Sequence, residues 1–170
     1  ERACIALQAG KTRYTDARGI QALRDALSTW YKAQGLDVSA RRIQITVGAS
    51  AGLLLASAAT TNPGEGVLMA DPTYPCNPRF VEVVGGQVHW IETDISSRFQ
   101  PTCEALELEA KASDRTLMLA HPANPTGQAV PSAELERMIQ WCLETNRHLI
   151  VDEIYQSLSF NDALDSSLAI

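Results

Sequence analysis

"RTLMLAHPANPTG", residues 115–127, decides the fold. Its first six residues are mostly apolar and do not alternate, the pattern of a strand buried on both faces rather than half-exposed. The next seven carry two prolines, an asparagine and a glycine. Pro122 and Pro125 fix φ and donate no N–H, so they stop the strand at a set depth, and Gly127 lets the chain leave in a tight turn. A strand buried on both faces belongs to a mostly parallel sheet with helices on each side.

Outward from this segment the same punctuation recurs. "VLMA" (67–70) reads as a second apolar strand ended by "DPTYP" (71–75), "QVHWIE" (87–92) as a third, and "HLIVDEIY" (148–155) as the last clear one. Helices are predicted between them: over 77–86, ending at Gly85-Gly86; from Pro101 to about Lys111; and from Ser132 onward. In the last of these Leu135, Met138, Ile139, Cys142 and Leu143 share one face, Ser132 is expected to cap, and Glu134 and Glu136 face the dipole of the first turn. Upstream, "GIQALRDALSTWYKAQ" (19–34) is an amphipathic helix closed by Gly35, and "RIQITV" (42–47) reads as a strand. "SAGLLLASAATT" (50–61) is apolar nearly all round, so it is expected to be deeply buried. The fold class that follows is α/β, a three-layer α/β/α arrangement around a mostly parallel sheet.

The chain has 170 residues, 45% of them apolar, which suits one domain with a continuous core. Fourteen basic and twenty acidic residues give a formal charge of −6 with no long run of either sign, which argues against nucleic acid or an anionic membrane as partner. No apolar stretch is long enough to span a bilayer, and "ERACIALQAG" lacks the layout of a secretion signal, so a cytoplasmic location is the default. Cys4, Cys76, Cys103 and Cys142 lie far apart without CxxC spacing or histidines at ligand spacing, so they read as buried free thiols rather than a metal site. His89, His121 and His148 read as packed or solvated.

In an open α/β sheet, ligands bind outside the carboxyl ends of the strands. "GAS" (48–50) puts small residues at a strand-to-helix turn, which serves either close packing or an anion on free N–H groups and the Ser50 hydroxyl. Tyr74, set between Pro72 and Pro75, is either a core ring or a stacking surface at the crevice mouth. Asp152 follows "HLIV" at the end of a buried strand, where a carboxylate needs hydrogen bonds or a cation; that cation is an internal partner or a ligand.

Five segments in order, "YTDARGIQALR" (14–24), "GAS" (48–50), "DPTYP" (71–75), "NPTG" (124–127) and "DEIY" (152–155), resemble the class I/II aminotransferases, the fold-type-I enzymes that use pyridoxal 5′-phosphate. The resemblance covers nearly everything from Arg13 to about Phe160 and implies a large cofactor-binding domain, incomplete within residues 1–170. It implies that Asp152 pairs with the protonated pyridine nitrogen, that Asn124 and Tyr155 bond the cofactor's phenolic oxygen, and that Tyr74 stacks on its ring. It further implies that Ala49 and Ser50 hold the phosphate, while Tyr14 reaches the phosphate of a neighbouring subunit in a homodimer with shared active sites. The implied substrates are an amino acid and a 2-oxo acid.

The lysine that this family joins to its cofactor lies downstream of "DEIY", and Lys11, Lys32 and Lys111 are not in a matching context. The expectation is therefore a stretch of a longer aminotransferase, inactive by itself. Alternatives are a related lyase or decarboxylase with the same cofactor, and an inert binding or assembly module. A dinucleotide-binding domain is disfavoured, since no glycine-rich fingerprint follows the first strand. The amino-acid substrate cannot be read, and no metal site is expected.

Overall fold

In the computed structural model residues 1–158 and 167–168 are described. The chain divides into two compact units, Glu1–Thr46 and Val47–Ile170.

The first unit carries helices α1 (Arg2–Gln8) and α2 (Gln21–Ala33). α2 closes as its sequence requires, with Gly35 in the left-handed region at φ 82°. Its organiser is Arg24, a buried guanidinium that bonds the Gly19 carbonyl at 3.2 Å, the Ala40 carbonyl at 3.1 Å and Gln21 Oε1 at 2.7 Å. The strand expected over 42–47 does not form. Ala40–Arg42 is a 3-10 turn, and the extended residues after it belong to no sheet. Ile45 N–H reaches the Arg18 carbonyl at 3.0 Å and the Gln44 side chain reaches the Ala17 carbonyl at 2.7 Å, but no strand of the described residues lies alongside. Extended backbone and β-branched residues make a strand only where a neighbour completes the ladder.

The second unit contains helix α3 (Ala49–Thr60), strands β1 (Gly66–Asp71) and β2 (Gln87–Glu92), and helix α4 (Asn77–Val83) between them. Helix α5 (Cys103–Glu109), strand β3 (Asp114–Ala120), helix α6 (Ser132–Glu144) and strand β4 (His148–Asp152) follow. The four strands are all parallel, in the order β2-β1-β3-β4. Successive residues alternate between two cores. Leu68, Ile91, Leu117 and Leu119 face α5 and α6 through Leu106, Leu135 and Met138, whereas Val67, Met69, Met118 and Ile150 face α3 and α4 through Leu53 and Val81. This is the three-layer α/β/α arrangement that the uninterrupted apolar runs require.

Three local readings are corrected. α3 is not deeply buried: only Leu53 and Ser57 are, and Leu55 is half exposed, because one face packs on the sheet while no described element covers the other. Ser132 does not cap α6; it is the first helical residue, after Pro131, whose fixed φ suits the approach to a helix. The strand read over 148–155 ends at Asp152, and the chain then turns into a 3-10 helix at Gln156–Leu158. The cysteines also differ from one another. Cys103 and Cys142 are buried, and loss of solvent raises their thiols to about 11 and about 12, whereas Cys4 is exposed and Cys76 half-buried.

Candidate active site

From β1 the chain moves outward to β2, then returns to the other side of β1 to lay down β3. The direction of winding therefore reverses between β1 and β3, and a crevice opens outside their carboxyl ends at such a point. The loops at this crevice are those singled out by their prolines: 72–76 after β1 and 121–130 after β3. β4 ends alongside, with Ala120 opposite Asp152 and the His121 N–H bonding the Asp152 carbonyl at 2.9 Å. The Asp71-Pro72, His121-Pro122 and Asn124-Pro125 bonds are cis.

α3 delivers its first turn to the same end. Its last residue, Thr60, is tied through its carbonyl to Thr116 Oγ1 at 3.0 Å, near the start of β3. Twelve residues rising about 1.5 Å each carry the helix some 18 Å back, close to the full length of the strands. Ala49 and Ser50 thus open the helix level with the carboxyl ends. No side chain caps this terminus, and Gly48 before it takes φ 104°, a conformation that disfavours any L side chain there. α5 behaves otherwise: the Thr102 hydroxyl accepts from the Ala105 N–H at 3.2 Å, and Glu134 accepts from the Cys103 N–H at 2.6 Å. At α3 the N-cap position is Gly48, which has no side chain to accept from the first turn.

Six of the seven residues expected at a site belong to this unit and lie at the strand ends or the α3 terminus. Asp152 is half-buried; its Oδ1 accepts the Ile154 N–H at 3.1 Å, and among the described residues it pairs with no cation. Tyr155 follows in the turn, and Glu153 points elsewhere to accept from the N–H and hydroxyl of Ser167 at 2.6 and 2.9 Å. Tyr74 is part-exposed. The thiol of Cys76 beside it is the main cause of a raised phenol pKa, with Tyr155 adding a smaller push, so Tyr74 and Tyr155 lie within electrostatic reach of each other. Asn124 is half-buried, and no described residue bonds its side-chain amide. The seventh, Tyr14, is fully exposed in the first unit, so the second unit does not gather it.

Two buried side chains fix the loop after β3, and sequence reasoning missed one of them, Gln100. Gln100 Nε2 donates to the Ala120 carbonyl at 3.1 Å and to the Gln128 carbonyl at 2.8 Å, and His121 Nδ1 accepts the Val130 N–H at 3.0 Å. His121, read from the sequence as packed or solvated, is packed. Gln100 stands 20 residues before Ala120, and nothing in its neighbourhood of the sequence signals the contact.

The donor set at the crevice suits an anion on a planar, cationic ring. It offers a helix terminus for negative charge, a lone carboxylate for positive charge, an unengaged amide and phenol for a polar substituent, and an aromatic face. The class defined so far is a parallel α/β fold with a crevice at its switch point, the place where such sheets take their ligands.

The comparisons with known proteins then place the chain. The sequence profile of aminotransferase class I and II matches residues 2–169, and the chain belongs to this family of pyridoxal 5′-phosphate-dependent enzymes. It is similar to a valine–pyruvate aminotransferase of Mycobacterium tuberculosis, 38% identical over 168 residues, covering 98% of this chain and 43% of the relative. An aspartate aminotransferase of Thermotoga maritima is 32% identical over 174 residues, covering 100% and 45%. Among solved structures, the aspartate aminotransferase from Thermus thermophilus with maleate superposes with a TM-score of 0.92 at 31% identity, covering 98% of this chain and 44% of that one. The chain thus spans less than half the length of these relatives.

Proposed function

We propose that this chain forms the cofactor-holding part of an aminotransferase that exchanges an amino group between an amino acid and a 2-oxo acid. The observation that carries the reading is Asp152: a carboxylate at the end of a buried strand, with one local N–H bond and no described internal cation, at the mouth of the crevice. An ionised carboxylate in such a place is favourable when a cation of the ligand completes it.

When bound, pyridoxal 5′-phosphate supplies a protonated ring that draws electron density from the substrate's Cα–H bond. Asp152 keeps the ring nitrogen protonated by accepting its N–H. Asn124, through its amide, and Tyr155, through its hydroxyl, would donate to the phenolic oxygen of the bound cofactor. Tyr74 offers the face on which the ring lies. The N–H groups opening α3 at Ala49 and Ser50, with the Ser50 hydroxyl, hold the phosphate. Tyr14, exposed in the first unit, serves the phosphate of a second copy, which makes the working enzyme a homodimer with shared sites. Free thiols at all four cysteines suit a reducing compartment, the cytoplasm.

Lys111 does not supply the proton-shuttling amine of this chemistry, because it lies between α5 and β3, at the amino end of the sheet and away from the crevice.

Titration with pyridoxamine 5′-phosphate, whose amine does not condense with surface lysines, tests the cradle by its intrinsic fluorescence. Saturable binding that Asp152→Ala weakens by about tenfold or more is the expected result, the scale of one lost charge-assisted bond. Binding of equal strength in Asp152→Ala removes the basis for the assignment.

A further inference from the structure

Asn124 projects from a loop whose two ends are joined by one side chain that lies outside it. Gln100 is almost fully buried, 3% exposed. Its Nε2 carries two protons, and both are used: one goes to the carbonyl of Ala120, the last residue of β3, the other to the carbonyl of Gln128 on the returning limb. The Gln128 carbonyl also accepts the Ala123 N–H at 2.9 Å, and the Ala123 carbonyl accepts the Gly127 N–H at 2.7 Å, so the loop folds back on itself with Asn124 inside the fold-back. His121 Nδ1 adds a second tie, to the Val130 N–H.

Pro122 and Pro125 freeze only their own φ angles; they do not set the separation of the two limbs. Besides the Ala123–Gln128 backbone bond and the His121–Val130 tie, that separation is held by the reach of the Gln100 carboxamide between two carbonyls. A carboxamide nitrogen is the fitting group, because two adjacent carbonyl oxygens repel and only a donor with two N–H bonds can bridge them while buried. The amide of Asn124 has no described internal partner, so its aim depends on the backbone that carries it.

We propose that Gln100 is a positioning residue for Asn124: it clamps the 121–128 loop shut so that the Asn124 amide is presented at the crevice in one orientation. This rests on the reading of Asn124 as a cofactor contact. Gln100 touches neither the cofactor nor the substrate in this role; its effect on binding passes through Asn124.

The test uses the chain with three readouts: amide hydrogen exchange, pyridoxamine 5′-phosphate affinity, and the coupling between two substitutions. Gln100→Met keeps the length and bulk and removes both donors. It is expected to speed exchange at Ala123 and Gly127 by about tenfold while leaving Leu117 and Leu119 in β3 unchanged, and to weaken cofactor-analogue binding by about tenfold. Asn124→Ala is expected to weaken binding by a similar factor with the loop amides still protected. The double variant is expected to bind no more weakly than Asn124→Ala alone, since the clamp has nothing left to aim. Normal loop exchange in Gln100→Met, normal affinity in it, or additive losses in the double variant each overturn the proposal. Normal affinity in Asn124→Ala overturns the cofactor reading and the proposal with it, whereas weakened Asn124→Ala beside an unaffected Gln100→Met overturns the proposal alone. Should Gln100→Met fail to fold by circular dichroism, Gln100→Asn, one methylene shorter and unable to reach both carbonyls, carries the same expectations.

Discussion

Two aspartates on adjacent strands show how the ends of this sheet differ. Asp114 opens β3 at the amino end, 3% exposed, with its carboxylate spent: His89 Nδ1 lies 2.7 Å from Oδ2, and the Lys111 N–H donates to the same oxygen at 2.7 Å. The Arg147 guanidinium closes the region by bonding the carbonyls of Asp114 and Lys111 at 3.0 and 3.1 Å. Asp152 ends β4 at the carboxyl end, and among the described residues its carboxylate bonds only the Ile154 N–H. Around it the α3 terminus has no side-chain cap and the Asn124 amide has no described partner. A polar group saturated within the chain serves stability, because removing it orphans its partners; one left unspent at a rim is available to a ligand.

The comparison breaks most visibly at the base. Asp114→Ala is expected to lower the unfolding free energy by about 2 kcal/mol, since it strands the part-buried Lys111 N–H and the His89 ring and opens space beside Gly66. The closeness of that packing is set by Gly66, where an added Cβ would overlap Asp114 Oδ1 and lie 3.1 Å from its Cα. Urea denaturation reads the change. A loss of only a few tenths would place Asp114 with the unspent groups and dissolve the contrast.

A smaller effect sharpens it at the mouth. Thr102→Ala removes the hydroxyl that caps α5 and is expected to cost about 1 kcal/mol in the same measurement, with no change in pyridoxamine 5′-phosphate affinity. α5 thereby separates a terminus closed for stability from the uncapped one at α3. Loss of affinity in Thr102→Ala would mean that the two termini are not distinct in role.

The split between these groups follows what a linear sequence can encode. The apolar runs at 67–70 and 115–120 were legible because burial on both faces leaves few polar positions to interrupt them, whereas those at 87–92 and 148–152, at the two ends of the described sheet, are only partly buried and carry polar residues. The strand ends were legible too, since proline and glycine act locally. Residues 42–47 misled because β-branched side chains state a preference while pairing needs a second strand. The exposure of Leu55 was hidden for the same reason: whether an apolar face is covered depends on what lies across from it. The strand-end placing of Asp152, Asn124, Tyr74 and Tyr155 was legible from the proline-marked strand ends, while the roles proposed for them rest on the family resemblance. Gln100 could not, because its two acceptors lie 20 and 28 residues away and a glutamine beside Pro101 looks like any other.

The smallest stability effect is the most informative about the site. Asp152→Ala deletes a carboxylate whose bond within the described chain is to a backbone N–H two residues on, in a turn with access to water. That N–H can exchange its partner for solvent, and the strand residues before Asp152 keep their pairing to β3, so the unfolding free energy is expected to stay within about 0.5 kcal/mol of the parent. It can even rise, because a negative charge held at a half-buried strand end without a cation among the described residues is a cost to the folded state. Beside the Asp114 result, this yields two aspartates of like chemistry on neighbouring strands, one whose loss is read in urea and one whose loss is read in ligand affinity. A drop of about 2 kcal/mol or more in Asp152→Ala would show that β4 depends on this carboxylate, and the unspent charge at the crevice would have to be sought elsewhere.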